Sequence, residues 1–388
     1  MTLLKNSLGN YLATLAPYIP SQLISNENIN NIQKIAQVIP SAITTFFGFE
    51  CQLGIQKAQA DFLICLDASE AGRKILGEDD YVVKLPDFLM QHHIWNRIYE
   101  FGKHWNNDTS ALYEKVNNMW LEFDVDDSHP DIPVPSCFFG PQPVYAPAHT
   151  YSDTPAYLYP HTWISQIALK LLLKQDLSSA VEHQLFQCFD LLPKNAYVFQ
   201  VGVMLARKSD AVRICIRNIS PEEILNYLEQ LNWSGSIEQL SIILNELSSL
   251  VTRIDLDLDI GEVISPKIGL ECYFEKQPKQ EPKWQLFLDY LVDVGLCISE
   301  KRDALLEYPG YIRENSNQDL FPSNLLKISR IMGPQYEWIF LKGLHHIKVV
   351  FQSSESLQAK AYLFASNHLV TRSYKNLSAL KQNLISKT

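Results

Sequence analysis

The residues best suited to chemistry recur at every second position. Arg253, Asp255, Asp257 and Asp259 alternate with Ile254, Leu256 and Leu258, and Lys267, Glu271 and Tyr273 oppose Ile268, Leu270 and Cys272. Arg213, Cys215 and Arg217 stand against Val212, Ile214 and Ile216; His346 and Lys348 against Ile347 and Val349; Lys360 and Tyr362 against Ala361 and Leu363. Upstream, Trp120, Glu122 and Asp124 oppose Leu121, Phe123 and Val125, and Gly48, Glu50 and Gln52 oppose Phe47, Phe49 and Cys51. A period of two is that of an extended strand, so each run has one apolar face and one chemically equipped face. Gathered in one chamber, Arg213, Arg217, Arg253, Lys267, Lys348 and Lys360 would suit a polyanion, because guanidinium and ammonium groups donate charge-assisted hydrogen bonds to phosphate oxygens. Tyr273, Tyr362 and Trp120 beside them would shield a carbocation by cation–π attraction. Carboxylates such as Glu122 and Asp257, partly removed from water, are tuned towards acid–base work.

Five hairpin-like segments must position these faces: Phe46–Asp67, Met119–Phe139, Val198–Arg217, Thr252–Phe274 and His346–Phe364. Each has two runs rich in β-branched and aromatic residues around a polar break, and amphipathic helical sequence precedes each. The helices are expected at Leu4–Ala16, Asn28–Val38, Ser69–Leu76, Leu89–His104, Ser110–Asn117, Thr162–Lys174, Leu177–Phe189, Pro221–Leu231, Ile237–Leu250, Trp284–Cys297, Glu300–Tyr308, Pro322–Met332 and Tyr374–Ile385. The implied class is α/β: five ααββ repeats forming a closed ten-stranded antiparallel barrel, helices outside and a polar lumen within. The alternative is an open sheet whose charged face meets water. With no linker in view, residues 1–388 read as one barrel domain, with units at roughly 1–80, 81–150, 151–235, 236–300 and 301–388.

A net charge of −10 argues against a nucleic-acid partner or an anionic membrane surface. The seven cysteines show no CxxC pair or disulfide spacing, and Cys51 and Cys65 read as inert packing on apolar faces. With no signal peptide and no apolar run of membrane-spanning length, the expected location is cytoplasmic. P-loop, Rossmann, GxSxG and HExxH patterns are missing, which disfavours NTPases, dinucleotide enzymes, serine hydrolases and zinc proteases. No metal ligand set stands out. His345 and His346, as neighbours on a strand, are expected to face opposite sides. The acidic tracts Asp124–Asp127 and Asp255–Asp259 either hold one Mg²⁺ against a substrate phosphate or are charges relieved by Arg253 and Lys267. Magnesium is thus the one candidate cofactor, and no organic cofactor is expected.

The ααββ order with a polar lumen resembles the prenyltransferase barrels of the ABBA superfamily, nearest in style to the cyanobactin-type enzymes that prenylate peptides. The resemblance is architectural and runs over most of the chain. It implies that Glu50, in FFGFECQLG, is the base or hydrogen-bond partner for the acceptor. It also implies that Arg213, Lys267, Lys348 and Lys360, with Tyr273 and Tyr362, hold the diphosphate. The strands carry more carboxylates than that task calls for (Glu122, Asp124, Asp255, Asp257 and Glu271). The first reading is transfer of an isoprenoid group from a diphosphate donor to an aromatic small-molecule or peptide acceptor in natural-product biosynthesis. The second is a carboxylate acid–base enzyme (cyclase, isomerase or hydrolase) in the same barrel, with Glu122 and Asp257 as its groups. The third is a non-catalytic binding barrel.

Overall fold

The computed structural model describes residues 4–126, 132–145, 161–207, 209, 211–316, 319–353 and 355–372. The alternating runs form β1 (Phe46–Gln52), β2 (Ala60–Asp67), β3 (Val116–Phe123), β4 (Ser136–Pro141), β5 (Val144–Tyr145), β6 (Tyr197–Val203), β7 (Val212–Arg217), β8 (Arg253–Ile260), β9 (Ile264–Tyr273), β10 (Gly310–Arg313), β11 (Tyr336–Phe351) and β12 (Gln358–Thr371). Ten of them run in the order β11-β12-β1-β2-β3-β4-β6-β7-β8-β9, and β9 then pairs with β11 from Ile347↔Cys272 to Phe351↔Ile268. All these pairings are antiparallel, so the barrel is closed and its main strands leave no open edge. Strands β5 and β10 are side branches on β6 and β11.

The outward faces are apolar because the helices cover them. Phe47, Phe49, Phe62, Phe123 and Phe139 are buried with Trp95, Trp105, Tyr227, Trp284 and Phe287 in one continuous core. Each such side chain contributes about 1.5–3 kcal/mol by leaving water. The indole N–H of each of these three tryptophans also finds a carbonyl: Trp95 reaches Pro133 at 2.7 Å, Trp105 reaches Val116 at 2.9 Å and Trp284 reaches Lys276 at 2.8 Å.

Helix ends follow local chemistry. In the helix Pro221–Gln230, Ser220 and Glu223 form a capping box, Pro221 takes the first turn, and Ile224, Tyr227 and Leu228 share the buried face. Asn232, at φ 52°, stops the helix while the Trp233 N–H returns to the Leu228 carbonyl at 3.0 Å. The helix Ile237–Leu250 coincides with its expected span.

Two expectations need correction. Ser110–Asn117 is not a helix: turns occupy it and β3 starts at Val116. Leu112 is its one fully buried apolar anchor, while Val116 is drawn into pairing with Pro141. The last hairpin is also longer than foreseen, since β11 begins ten residues before His346 and β10 lies against that extension. The helix expected at Tyr374–Ile385, Asp127, and most of the loop between Gly140 and Pro160 lie outside the described residues.

Candidate functional site

The inward faces enclose a chamber with two chemically distinct halves. One half is walled by Phe46, Leu63, Trp120, Phe138, Phe199 and Phe364, with Tyr273, His345 and His346. The other is walled by Glu50, Arg207, Asp257, Asp259, Lys267 and Lys360. Glu122, Phe138, Arg213, Lys348 and Tyr362 border both. Phe138 can lie at this boundary because Gly202 faces it: a Cβ there would sit 1.8 Å from the Phe138 ring. The aromatic half ends on a floor where Phe46 and Phe364 stack at 5.4 Å and 12°, with Trp120 edge-on to Phe46 at 5.8 Å. Leu341 and Cys65 are buried in the same cluster. Cys65 therefore belongs to the lumen side, against the expectation of an outward face, although its surroundings are apolar as expected.

Nearly every cation in the chamber already has a carboxylate. Arg213 grips Asp259 through two hydrogen bonds of 2.7 and 2.9 Å. Lys348 pairs with Asp257 and stands 3.8 Å from Glu271. Gly269 leaves room for that pair, since a Cβ there would meet Lys348 Cε at 2.5 Å and Asp257 Oδ2 at 2.9 Å. Lys360 Nζ is 2.5 Å from Glu50 Oε1, and the Tyr362 hydroxyl donates to Glu50 Oε2. At the rim Arg207 holds Asp124, with Nε 2.7 Å from Oδ2. Lys267 is exposed and has no ion-pair partner among the described residues.

The carboxyls are pushed apart by their surroundings. Burial drives Glu50 upward, but the Lys360 ammonium and the Tyr362 hydroxyl outweigh it and bring it down to about 2. Burial, then the Glu50 charge, raises Glu122 to about 8 against Arg213 and Lys348. Burial and Glu50 also raise Asp61, the cross-strand neighbour of Glu50, to about 7. Burial and Glu271 lift Asp257 to about 6 in spite of Lys348. Glu122 makes no hydrogen bond or ion pair among the described residues. Ser136, opposite it on β4, has a buried Oγ without a partner. Neighbouring carboxyls with such different proton affinities are the raw material of acid–base chemistry.

The histidine pair departs from expectation. A bulge between Leu344 and His346 adds one residue to β11, so His345 and His346 both point inward, with Nδ1 atoms 2.6 Å apart. His346 lies between Tyr362 (4.1 Å, 18°) and Tyr273 (4.8 Å, 33°), with Nε2 3.5 Å from Glu271. Tyr273 donates to the other Glu271 oxygen at 2.7 Å. A second bulge, between Val198 and Gln200, turns both Phe199 and Gln200 into the chamber.

Among the described residues one group has metal-ligand spacing: Cys215, Asp257 and Glu271 offer atoms within 4.8 Å of one another. A thiol suits Mg²⁺ poorly, and the Lys348 ammonium already supplies positive charge there. The Asp255–Asp259 tract is occupied by cations in the same way: Asp255 takes Arg217 at 3.0 Å and Arg253 at 2.9 Å.

The structure thus brings Glu50, Glu122, Asp257, Arg213, Lys267, Lys348 and Lys360 to one half, with Trp120, Tyr273 and Tyr362 in the other or between. Arg217 and Arg253 are not in this group. They lie at the far end, over Phe199 (3.9 Å) and Tyr273 (4.1 Å), and Arg217 is about 13 Å along its strand from Arg213. Asp61, Arg207 and Phe138 escaped the sequence reading. Asp61 shares its face with Leu63 and Cys65, so alternation left no polar pattern to mark it.

No family model matches this chain, and no curated protein does. Among solved structures it is similar to NotF prenyltransferase, with 10% identity, 92% of each chain covered and a TM-score of 0.47. No described helix is long and apolar enough to cross a membrane.

Proposed function

We propose that the barrel transfers an allylic isoprenoid group from a diphosphate donor to an aromatic acceptor, free or borne on a peptide. The observation that carries this reading is the division of one chamber into an aromatic half and a charged half. An amphiphile with an apolar chain and an anionic head matches that division from end to end. Arg207, Arg213, Lys267, Lys348 and Lys360 stand against Glu50, Glu122, Asp257 and Asp259 in the charged half, with Asp124 on Arg207 at the rim, and a protonated Glu122 leaves five positive groups facing four negative ones.

In the reaction, the allylic C–O bond breaks and its electron pair stays on the diphosphate, which Lys267, Lys360 and Arg213 stabilise electrostatically. A π pair of the acceptor ring forms the new C–C bond, and the displaced ring proton passes to a carboxylate. Trp120, Tyr273 and Tyr362 face the cationic carbon and keep water from it. Glu50 is ionised at neutral pH, and Glu122, whose proton affinity the Glu50 charge raises, is its neighbour. Any magnesium would arrive chelated by the diphosphate rather than held by protein ligands.

Calorimetric titration with dimethylallyl and geranyl diphosphate, with and without Mg²⁺, tests the reading. Micromolar binding that falls at least tenfold in a Lys267→Ala/Lys360→Ala protein supports it. No binding of either donor to the wild type would refute it. That outcome would favour the second reading, acid–base catalysis by Glu122 and Asp257. The second reading is itself supported by the ion pairing of almost every chamber cation.

A further inference from the structure

Glu50 poses a chemical problem. Its carboxylate is ionised, as a base must be, yet Lys360 and Tyr362 hold it so firmly that it has little affinity for a proton. Efficient proton transfer needs a base whose affinity is matched to the task.

We propose, resting on the diphosphate reading above, that Lys360 is shared between Glu50 and the anionic head of the donor, so that donor binding releases Glu50 to act as the acceptor's base. Lys360 and Lys267 are the least constrained cations of the chamber. Arg213 is fixed by two hydrogen bonds to Asp259, and Lys348 is buried against Asp257. Lys360 is only partly buried, reaches Glu50 through a single ammonium–carboxylate contact and borders the charged half. Its flexible four-carbon stem can turn the ammonium to a phosphate oxygen.

Glu50's other ligand stays in place. The Tyr362 ring is stacked on His346 at 4.1 Å and keeps its hydroxyl on Glu50. The remaining groups that act on Glu50 are Asp61 on β2, Glu122 on β3, Arg207 at the rim and Lys348 on β11. Burial and the Glu50 charge keep Glu122 largely protonated and Asp61 about half protonated near neutrality, while Lys348 is committed to Asp257 and Arg207 to Asp124. With Lys360 withdrawn, desolvation of Glu50 is no longer offset, and its proton affinity rises. The base then becomes competent only when the leaving group is in position, which makes binding ordered, donor before acceptor.

The test is proton linkage. Inorganic diphosphate is titrated into wild-type protein and Glu50→Gln at about pH 6, in two buffers of different ionisation enthalpy. The ligand's own protons contribute equally to both proteins, and carrying Asp61→Asn and Glu122→Gln in both removes the two carboxyls whose affinity the Glu50 charge raises, so the difference isolates Glu50. The expected result is about one more proton taken up per diphosphate by the protein that keeps Glu50. Difference infrared spectra of the wild type should also gain a carboxylic-acid band on adding diphosphate. Diphosphate that binds with the same proton count in both proteins, or without the new band, overturns the switch and leaves the diphosphate site standing. No diphosphate binding to the wild type overturns both.

Discussion

Replacing Glu122 by glutamine should make the protein more stable, by an amount that grows with pH. The folded chamber raises this carboxyl from its ordinary 4.5 to about 8 through burial and the Glu50 charge. Between those values the folded protein keeps a proton that the unfolded chain has lost, so stability falls as pH rises through that window. At about pH 7 some 2.5 pH units of the window have been crossed, and at about 1.4 kcal/mol per unit the loss is roughly 3 kcal/mol. Glutamine is neutral at every pH and similar in shape to the protonated acid. Glu122→Gln should therefore match the wild type at about pH 4.5 and exceed it by roughly 2–4 kcal/mol at about pH 7. Urea denaturation of both proteins at several pH values, at fixed salt, measures the difference directly. Parallel curves, or a variant that is weaker throughout, would refute the argument, because Glu122 would then be an ionised partner of Arg213 in the folded state.

The remaining predictions concern the groups around it. Lys348→Met should cost about 3–5 kcal/mol above pH 7, since it strands Asp257 beside Glu271, and adding Asp257→Asn should recover most of it. That double-mutant cycle is read by denaturation; a double mutant as weak as Lys348→Met alone would contradict the pairing. Gly269→Ala should lower stability by about 1–3 kcal/mol, because the new methyl needs space held by Lys348 Cε and Asp257 Oδ2. A thermal midpoint equal to the wild type's would contradict it. Ser220→Ala should cost about 1 kcal/mol by removing the cap of the Pro221–Gln230 helix. Far-UV circular dichroism during thermal melting checks this, and an unchanged melting curve would show that the cap contributes nothing.

Strand faces were legible in the sequence because one physical rule, alternation, governs them. The inward set Glu50, Glu122, Arg213, Asp257, Glu271, Lys348 and Lys360 follows from counting by two, and closure of the sheet turns that set into a chamber. Bulges break the count, and nothing in LHHI or VFQV marks the added residue. Which cation would meet which carboxylate was equally hidden, since Arg213 and Asp259 are 46 residues apart and meet only through the β7–β8 register. Consequently a face that read as a free phosphate-binding surface is largely self-neutralised. Arg207 lies in a turn, where no periodicity applies, and Asp61 was masked by the apolar run around it.

The partner of β1 on one side is β12, whose paired residues lie between 360 and 366. A ribosome extending this chain therefore releases β1 long before its neighbour exists. The growing sheet has to wait through three further hairpins with an unpaired flank of Phe46, Phe47 and Phe49. An exposed edge of that kind invites pairing with another nascent chain. The hydrogen bonds that close the barrel are thus among the last that translation permits. A message truncated before β12 would yield an aggregation-prone half-shell rather than a smaller working barrel, and synthesis of the intact protein should depend on chaperones that shield β1 until the C-terminal strand arrives.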